Sequence, residues 1–253
     1  MTMLREQTVF GPIHSRRLGN SLGINLLPVN GKLCNFDCIY CECGWNADGR
    51  QDRKLPSSQD VRGALEDALR ECREQGIAID SITFSGDGEP TLNPEFPQIV
   101  DLTLELRDRY YPEAKVSVLS NATMAFKPEV LSALRKVDNP IMKLDAPTDA
   151  LAAKVNRPAA GYSVENVARS LEAFDGDFVL QTMFLRSDDY NSSEESQLAA
   201  WMALVRRLRP REVMVYTIDR PTPMQGLEKF SEEQMRRMVA PLIEEGFNIQ
   251  IKG

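Results

Sequence analysis

The sequence predicts an α/β fold, a partial, open-sided (β/α)6 TIM-like barrel. Three observations predict it. Short runs rich in Val, Ile and Leu alternate with amphipathic helical patterns about six times, as in a parallel sheet covered by helices. Six units are fewer than the eight that close a complete barrel. Small and polar residues follow several of the strand segments, where barrels gather their functional groups.

The elements follow in order. The first strand is expected at residues 22–27, with a cysteine-bearing loop after it. Ser57, Ser58 and Asp60 offer helix caps. Val61, Leu65, Ala68, Leu69 and Cys72 then recur at helical spacing, and Gly76 supplies a stop. Cys72 lies on that apolar stripe and reads as a core thiol rather than a ligand. Strands at 79–84, 116–119, 141–144, 178–185 and 213–216 alternate with helices at 97–109, 127–136, 164–174, 193–207 and 231–245. A short strand at 249–251 closes the series. The chain shows no internal repeat, low-complexity tract or Pro/Gly/Ser-rich linker, so residues 1–253 are expected to form a single domain with a short leader at 1–20.

Composition narrows the function classes. The formal net charge of −7 disfavours a broad nucleic-acid footprint. Arg206, Arg207, Arg209 and Arg211 form a local basic run, whose simpler reading is a solvated helix end. No apolar run approaches the roughly 20 residues of a membrane span. The start lacks the apolar core of a secretory signal. With free thiols, this points to the reducing cytoplasm.

The densest chemical signal is Cys34, Cys38 and Cys41, in the pattern C-x3-C-x2-C. Such a trio can hold three irons of a four-iron cluster and leave the fourth without a protein ligand. Structural zinc is the alternative. It needs four ligands, and Cys43 supplies a fourth thiol on paper. A disulfide framework does not suit five cysteines in 253 residues. The cysteines alone leave iron–sulfur and zinc open.

The strand ends add polar groups. After the second strand, Gly86 and Gly88 flank Asp87 and let the backbone turn and approach a ligand, while Glu89 brings a carboxylate. A plain Gly-rich turn is the competing reading, and the Lys-Ser/Thr ending of a phosphate loop is missing. Ser120 and Asn121 follow the third strand. Lys143 and Asp145 share one face of the fourth, as either a buried salt bridge or a ligand-binding pair. Gln181 and Thr182 lie on the fifth. The sixth runs out through Tyr216, Thr217 and Ile218 to Arg220, a candidate anion contact. His14, the only histidine, reads as a catalytic base or as a structural residue. Arg16 and Arg17 read as anion contacts or as partners of nearby carboxylates.

These residues resemble the radical S-adenosylmethionine (SAM) superfamily. Tyr40 fills the aromatic place of its C-x3-C-x-aromatic-C motif. Gly86-Asp87-Gly88-Glu89-Pro90 looks like its glycine–glutamate motif, with Asp87 departing from the commoner Gly-Gly-Glu-Pro form. Residues 10–25, 84–92 and 220–223 are similar to a branch related to wyosine base-forming tRNA enzymes, although no cysteine precedes Cys34 to hold the second cluster of those enzymes. The resemblance implies the radical SAM core fold and a [4Fe–4S] cluster on Cys34, Cys38 and Cys41. It implies SAM bound by Tyr40, Gly86, Asp87, Gly88, Glu89, Ser120, Asn121, Gln181, Thr217 and Ile218, with Lys143 and Asp145 as catalytic candidates. The activity implied is reductive cleavage of SAM, giving a radical that takes hydrogen from a small molecule or an RNA base. An electron donor such as flavodoxin or ferredoxin is implied as a partner. Cys43 reads as a bystander, an additional ligand or a radical-quenching thiol. A peptide-modifying enzyme or glycyl-radical activase is the second reading. A non-enzymatic iron–sulfur or zinc module is the third.

Overall fold

The computed structural model describes residues 4–15, 18–29, 31–48 and 54–253. Arg16 and Arg17 lie outside the described residues. One curled, eight-stranded sheet carries the fold. Strand β1 (Val9–Ser15) runs antiparallel to β2 (Gly19–Ile24) at one edge. From β2 onward every neighbour is parallel, through β3 (Ser81–Phe84), β4 (Lys115–Ser120), β5 (Asn139–Lys143), β6 (Val179–Met183), β7 (Glu212–Tyr216) and β8 (Ile249–Lys252). Helices α1 (Ser58–Glu74), α2 (Phe96–Tyr110) and α3 (Pro128–Leu134) join the first crossovers. Helices α4 (Asp149–Val155), α5 (Val164–Glu172), α6 (Glu195–Leu208) and α7 (Glu232–Glu244) complete them. The sheet curls without closing, as the count of units predicts. Among the described residues, no helix is long and apolar enough to cross a membrane.

Local chemistry explains the elements. Ser57 caps α1 by accepting the Asp60 N–H, and the Asp60 carboxylate accepts the Ser57 N–H in return. Val61, Leu65, Leu69 and Cys72 form its buried stripe, and Gly76 ends it at φ +67°. Strand alternation sorts the side chains of β3. Ile82 and Phe84 face the helices, where Phe84 packs edge-on to Phe96 with ring centroids 5.9 Å apart. Ser81 and Thr83 face the barrel interior. There the Ser21 and Thr83 hydroxyls lie 2.7 Å apart, and Ser81 lies 3.0 Å from both Thr83 and Ser117. A small apolar cluster of Ile141, Val179 and Met214 fills the rest of the interior.

Two elements depart from expectation. The segment read as a leader contains β1, and β2 ends at Ile24 rather than at residue 27. β1 is an edge strand with mostly part-exposed side chains, so it shows no apolar alternation. Its anchor is Phe10, whose ring lies on Gly23 so closely that an added Cβ there would meet the ring at 2.2 Å. The second is α4, seven residues capped by Thr148, too short to display a helical period.

Phe84 is fully buried between sheet and helices. Phe84→Ala is expected to cost about 3–5 kcal/mol. Urea unfolding should show a lower midpoint with an unchanged slope.

Candidate functional site

The cysteine loop leaves the C-terminal end of β2 and is latched to the next strand end by main chain. The Leu33 N–H donates to the Asp87 carbonyl at 2.9 Å, and the Glu89 N–H donates to the Leu33 carbonyl at 3.1 Å. Gly88 makes this possible. Its φ is +141°, and a Cβ there would lie 1.9 Å from the Leu33 oxygen. The end of α4 holds the other side. Asp37 N–H donates to Asn156 O at 2.9 Å, and Ile39 N–H donates to Val155 O at 3.0 Å. Within the loop, Lys32 donates to Gly44 O at 2.6 Å and to Asp37 Oδ1 at 3.1 Å. The Asn46 amide donates to the carbonyls of Cys34 and Phe36. The loop is therefore shaped by its own polar groups before any ligand arrives.

The cysteines form no disulfide and sit in distinct surroundings. Cys34 Sγ accepts the Phe36 N–H at 3.4 Å. Cys38 Sγ accepts from the Asn156 amide at 3.4 Å. Burial pushes the Cys34 thiol up, and burial with the Asp145 charge pushes Cys38 up to about 12. Cys41 is held down by a hydrogen bond from Cys43 and by the Lys32 ammonium, and Cys43 is pushed up in return. Among the described residues, no three His, Cys, Asp or Glu side chains converge on a single-ion site.

Cys34, Cys38 and Cys41 open into a cavity of about 280 Å³ at the strand ends. Tyr40, Gly86, Gly88, Glu89, Ser120, Asn121, Lys143 and Gln181 line it with them. These candidates come from consecutive crossovers and meet in one place. Glu89 is buried, and its Oε1 accepts from the Thr91 N–H at 3.1 Å, the Thr91 hydroxyl and the Ser120 hydroxyl at 2.8 Å. Its Oε2 accepts the Asn121 N–H at 2.7 Å. Burial raises its carboxyl above the usual range, against the lowering effect of those bonds. Lys143 donates to the Tyr216 hydroxyl at 2.6 Å, and its ammonium lies 5.2 Å and 5.0 Å from the ring centroids of Tyr40 and Tyr216. Burial pulls its pKa down, but Asp145 and its other neighbours outweigh that and hold it above the ordinary lysine value.

The remaining candidates sit outside the cavity lining. Asp145 is fully buried beneath it. It accepts from Tyr40 OH, from the Asn156 amide at 2.6 Å and from the Met183 N–H at 2.8 Å, and pairs with Lys143 at 3.6 Å. Asp87 accepts the Arg5 N–H at 2.7 Å. Thr217 faces away, donating to Phe184 O at 2.8 Å and accepting the Phe230 N–H. Ile218 packs against the main core. Period two explains Thr217: Tyr216 is the β7 residue that lines the cavity, so Thr217 points to the other face, while Ile218 lies past the end of the strand. Arg220 pairs with Glu42 at 2.7 Å. The His14 ring lies 3.5 Å from Asn20 Oδ1. The basic run is largely spent on surface pairs, Arg206 with Glu245, Arg207 with Glu165 and Glu172, and Arg211 with Asp177. Cys72 is buried on α1, as its spacing predicts.

Sequence reasoning missed Lys32, Asn156 and Tyr216. Lys32 stands two places before the first cysteine but carries no spacing signal. Asn156 caps the unforeseen α4 and meets Cys38 only in the tertiary fold.

The residues fit an iron–sulfur cluster with SAM. Three thiols share the cavity with a lysine ammonium suited to a carboxylate. Gly86 and Gly88 give a close backbone cradle; a Cβ on Gly86 would fall 2.3 Å from Asn25 Oδ1. The Gln181 Nε2 is buried there without a hydrogen-bond partner, a donor awaiting an acceptor. Comparison with known proteins agrees. The family model described as Radical SAM superfamily matches residues 31–196. The chain is 29% identical to a Brachyspira hyodysenteriae protein named GTPase Obg, over 92% of this chain and 33% of that protein. It is also 29% identical to UPF0026 protein MJ1312 of Methanocaldococcus jannaschii, over 84% of this chain and 64% of that one. The chain thus spans less than two thirds of either relative. Among solved structures, TYW1 with a lysine–pyruvate adduct bound shares the fold at TM-score 0.64, with 13% identity over 88% of this chain and 73% of that one.

Gly88→Ala is expected to unlatch the cysteine loop. Anaerobic reconstitution should then incorporate far less iron than the wild type, roughly tenfold by the scale of disrupted metal surroundings, while far-ultraviolet circular dichroism stays near wild type.

Proposed function

We propose a hydrogen-abstracting reaction on a small molecule or an RNA base for this chain, which belongs to the radical SAM superfamily. The cofactors of that superfamily are a [4Fe–4S] cluster and SAM. When bound, they supply one-electron cleavage of the sulfonium and, through it, hydrogen abstraction from a substrate. The observation that carries the reading is the convergence of three thiols, a glycine cradle, Lys143 and the unpartnered Gln181 amide on one cavity.

The chain's own residues divide the work. Cys34, Cys38 and Cys41 hold iron. Lys143, gripped between two tyrosine rings, anchors the cofactor carboxylate. Gln181 donates to an acceptor on the cofactor, and Gly86 and Gly88 allow the main chain to approach it. Glu89 keeps a free lone pair on Oε2, which suits an ammonium. Asp145 positions Tyr40 and Lys143 from below. Tyr216 replaces Thr217 and Ile218 as the contact from β7.

A second cavity of about 450 Å³ adjoins the first, and both are lined by Glu42, Cys43, Ser85, Gly86 and Leu119. Arg5, His14 and Arg220 add to its rim. Its volume falls in the range of small-ligand pockets, which supports a small molecule or single base over a peptide. A flavodoxin or ferredoxin class of donor would supply the electron, and the cytoplasm is the compartment we assign.

Anaerobically reconstituted protein with dithionite and SAM should release 5′-deoxyadenosine and show absorption near 400 nm. Alanine at Cys34, Cys38 or Cys41 should abolish both; full retention in any one removes that residue from the ligand set. Lys143→Met should weaken SAM binding by about 1.5–3 kcal/mol, roughly 10- to 150-fold, by calorimetry.

A further inference from the structure

Lys32 is a deeply buried cation of the cysteine loop, with its side chain 1% exposed. Its Nζ is fixed by Gly44 O at 2.6 Å and Asp37 Oδ1 at 3.1 Å, and it also reaches Cys41. Gly44 presents its carbonyl from a left-handed turn at φ +80°. A carbonyl and a carboxylate both accept, so both require the hydrogens of an ammonium.

Among the described residues, the hydrogen bonds to the other two thiols come from neutral donors, the Phe36 N–H and the Asn121 amide on Cys34 and the Asn156 amide on Cys38. Lys32 therefore brings a full charge within the loop beside Cys41, as Lys143 does at the cavity wall near Cys38. Its partner Asp37 is 26% exposed, so water screens the carboxylate more than the ammonium. The positive member of the pair faces the thiols from the dry side.

We infer that Lys32 is a positioning residue that sets the redox poise of the iron–sulfur group, its fixed charge raising the reduction potential. The inference rests on reading the thiols as cluster ligands. Reduction adds one electron and therefore negative charge. A nearby cation in a low-dielectric site stabilises the reduced form over the oxidised one. Hydrogen bonds and net charge at the sulfurs are the protein's usual means of setting such potentials.

The test uses the full chain, reconstituted anaerobically, as wild type, Lys32→Met, Lys32→Gln and Lys32→Arg. Iron and sulfide are counted first. Each protein is then titrated with dithionite and mediators, and the reduced cluster is read by electron paramagnetic resonance. At the wild-type midpoint, the reduced-to-oxidised ratio should fall about tenfold in Lys32→Met and Lys32→Gln, about 59 mV for a one-electron couple. Lys32→Arg should stay close to wild type. Lys32→Gln carries the test if Lys32→Met fails to hold iron, because it keeps a donor for Gly44 O. A neutral variant with full iron and an unmoved midpoint overturns the inference. So does an arginine variant that shifts as far as the methionine one, or loss of iron from both neutral variants, which would mark a structural role. A wild-type protein with no reducible cluster refutes the site reading itself, and this inference falls with it.

Discussion

The site depends on a single pair of backbone hydrogen bonds. Leu33 donates to Asp87 and accepts from Glu89, so the cysteine loop is added, for one residue, to the turn that follows β3. Such bonds cost little entropy when both partners are already held. The β3 turn is held by its parent strand, and the loop by Lys32, Asn46 and α4. The same turn forms the cradle, so latch and ligand surface cannot drift apart. Only glycine at position 88 permits the approach. Asp87, between the two glycines, ties in the N-terminal segment by accepting the Arg5 N–H, and its own N–H rests on Asn25 Oδ1 at 3.2 Å.

Two buried carboxylates have different places in this arrangement. Asp145 is surrounded by donors and lies out of the cavity lining, so it acts through what it holds: Tyr40, Asn156 and Lys143. Through Asn156 it reaches Cys38, which places the floor of the cavity and the second thiol in one network. Glu89 is nearly as well partnered, yet it reaches the cavity. Its bonds to Ser120 and Asn121 also fix the end of β4. Removing donors from either group leaves a charge stranded in a dry site, which costs more than the lost bond.

The parallel sheet was legible because its strands are buried on both faces and read as dense apolar runs, as in β3 and β6. α1 was legible because capping and stripe agreed. The edge strand β1 was not, since its pairing partner, not its own pattern, defines it. The cavity followed from spacing where motif residues touch it directly, as with Cys34, Gly88 and Gln181. It failed at Thr217 by one register step, because the sequence marks where β7 ends less sharply than which face each residue takes. Lys32 and Asn156 were invisible for a stronger reason. Each acts across a fold contact, and isolated polar residues near a motif have many ordinary uses.

Charge explains why such groups accumulate. Cys34, Cys38 and Glu89 are all pushed toward their neutral forms by burial, and among the described residues Lys32 and Lys143 stand against them as buried cations close to the thiols. Without metal, Cys34 and Cys38 are therefore held toward their protonated forms, while Cys43 and Lys32 hold Cys41 toward its thiolate. A metal reverses that order, because a coordinated thiol gives up its proton outright. On the proposed reading, loading the site with metal would also deprotonate Cys34 and Cys38. The two lysines flank that event from opposite sides, Lys32 beside Cys41 within the loop and Lys143 above Asp145 at the cavity wall. Each is paired to a carboxylate, and each carboxylate lies away from the cavity. The positive ends are left to face the sulfurs and the ligand.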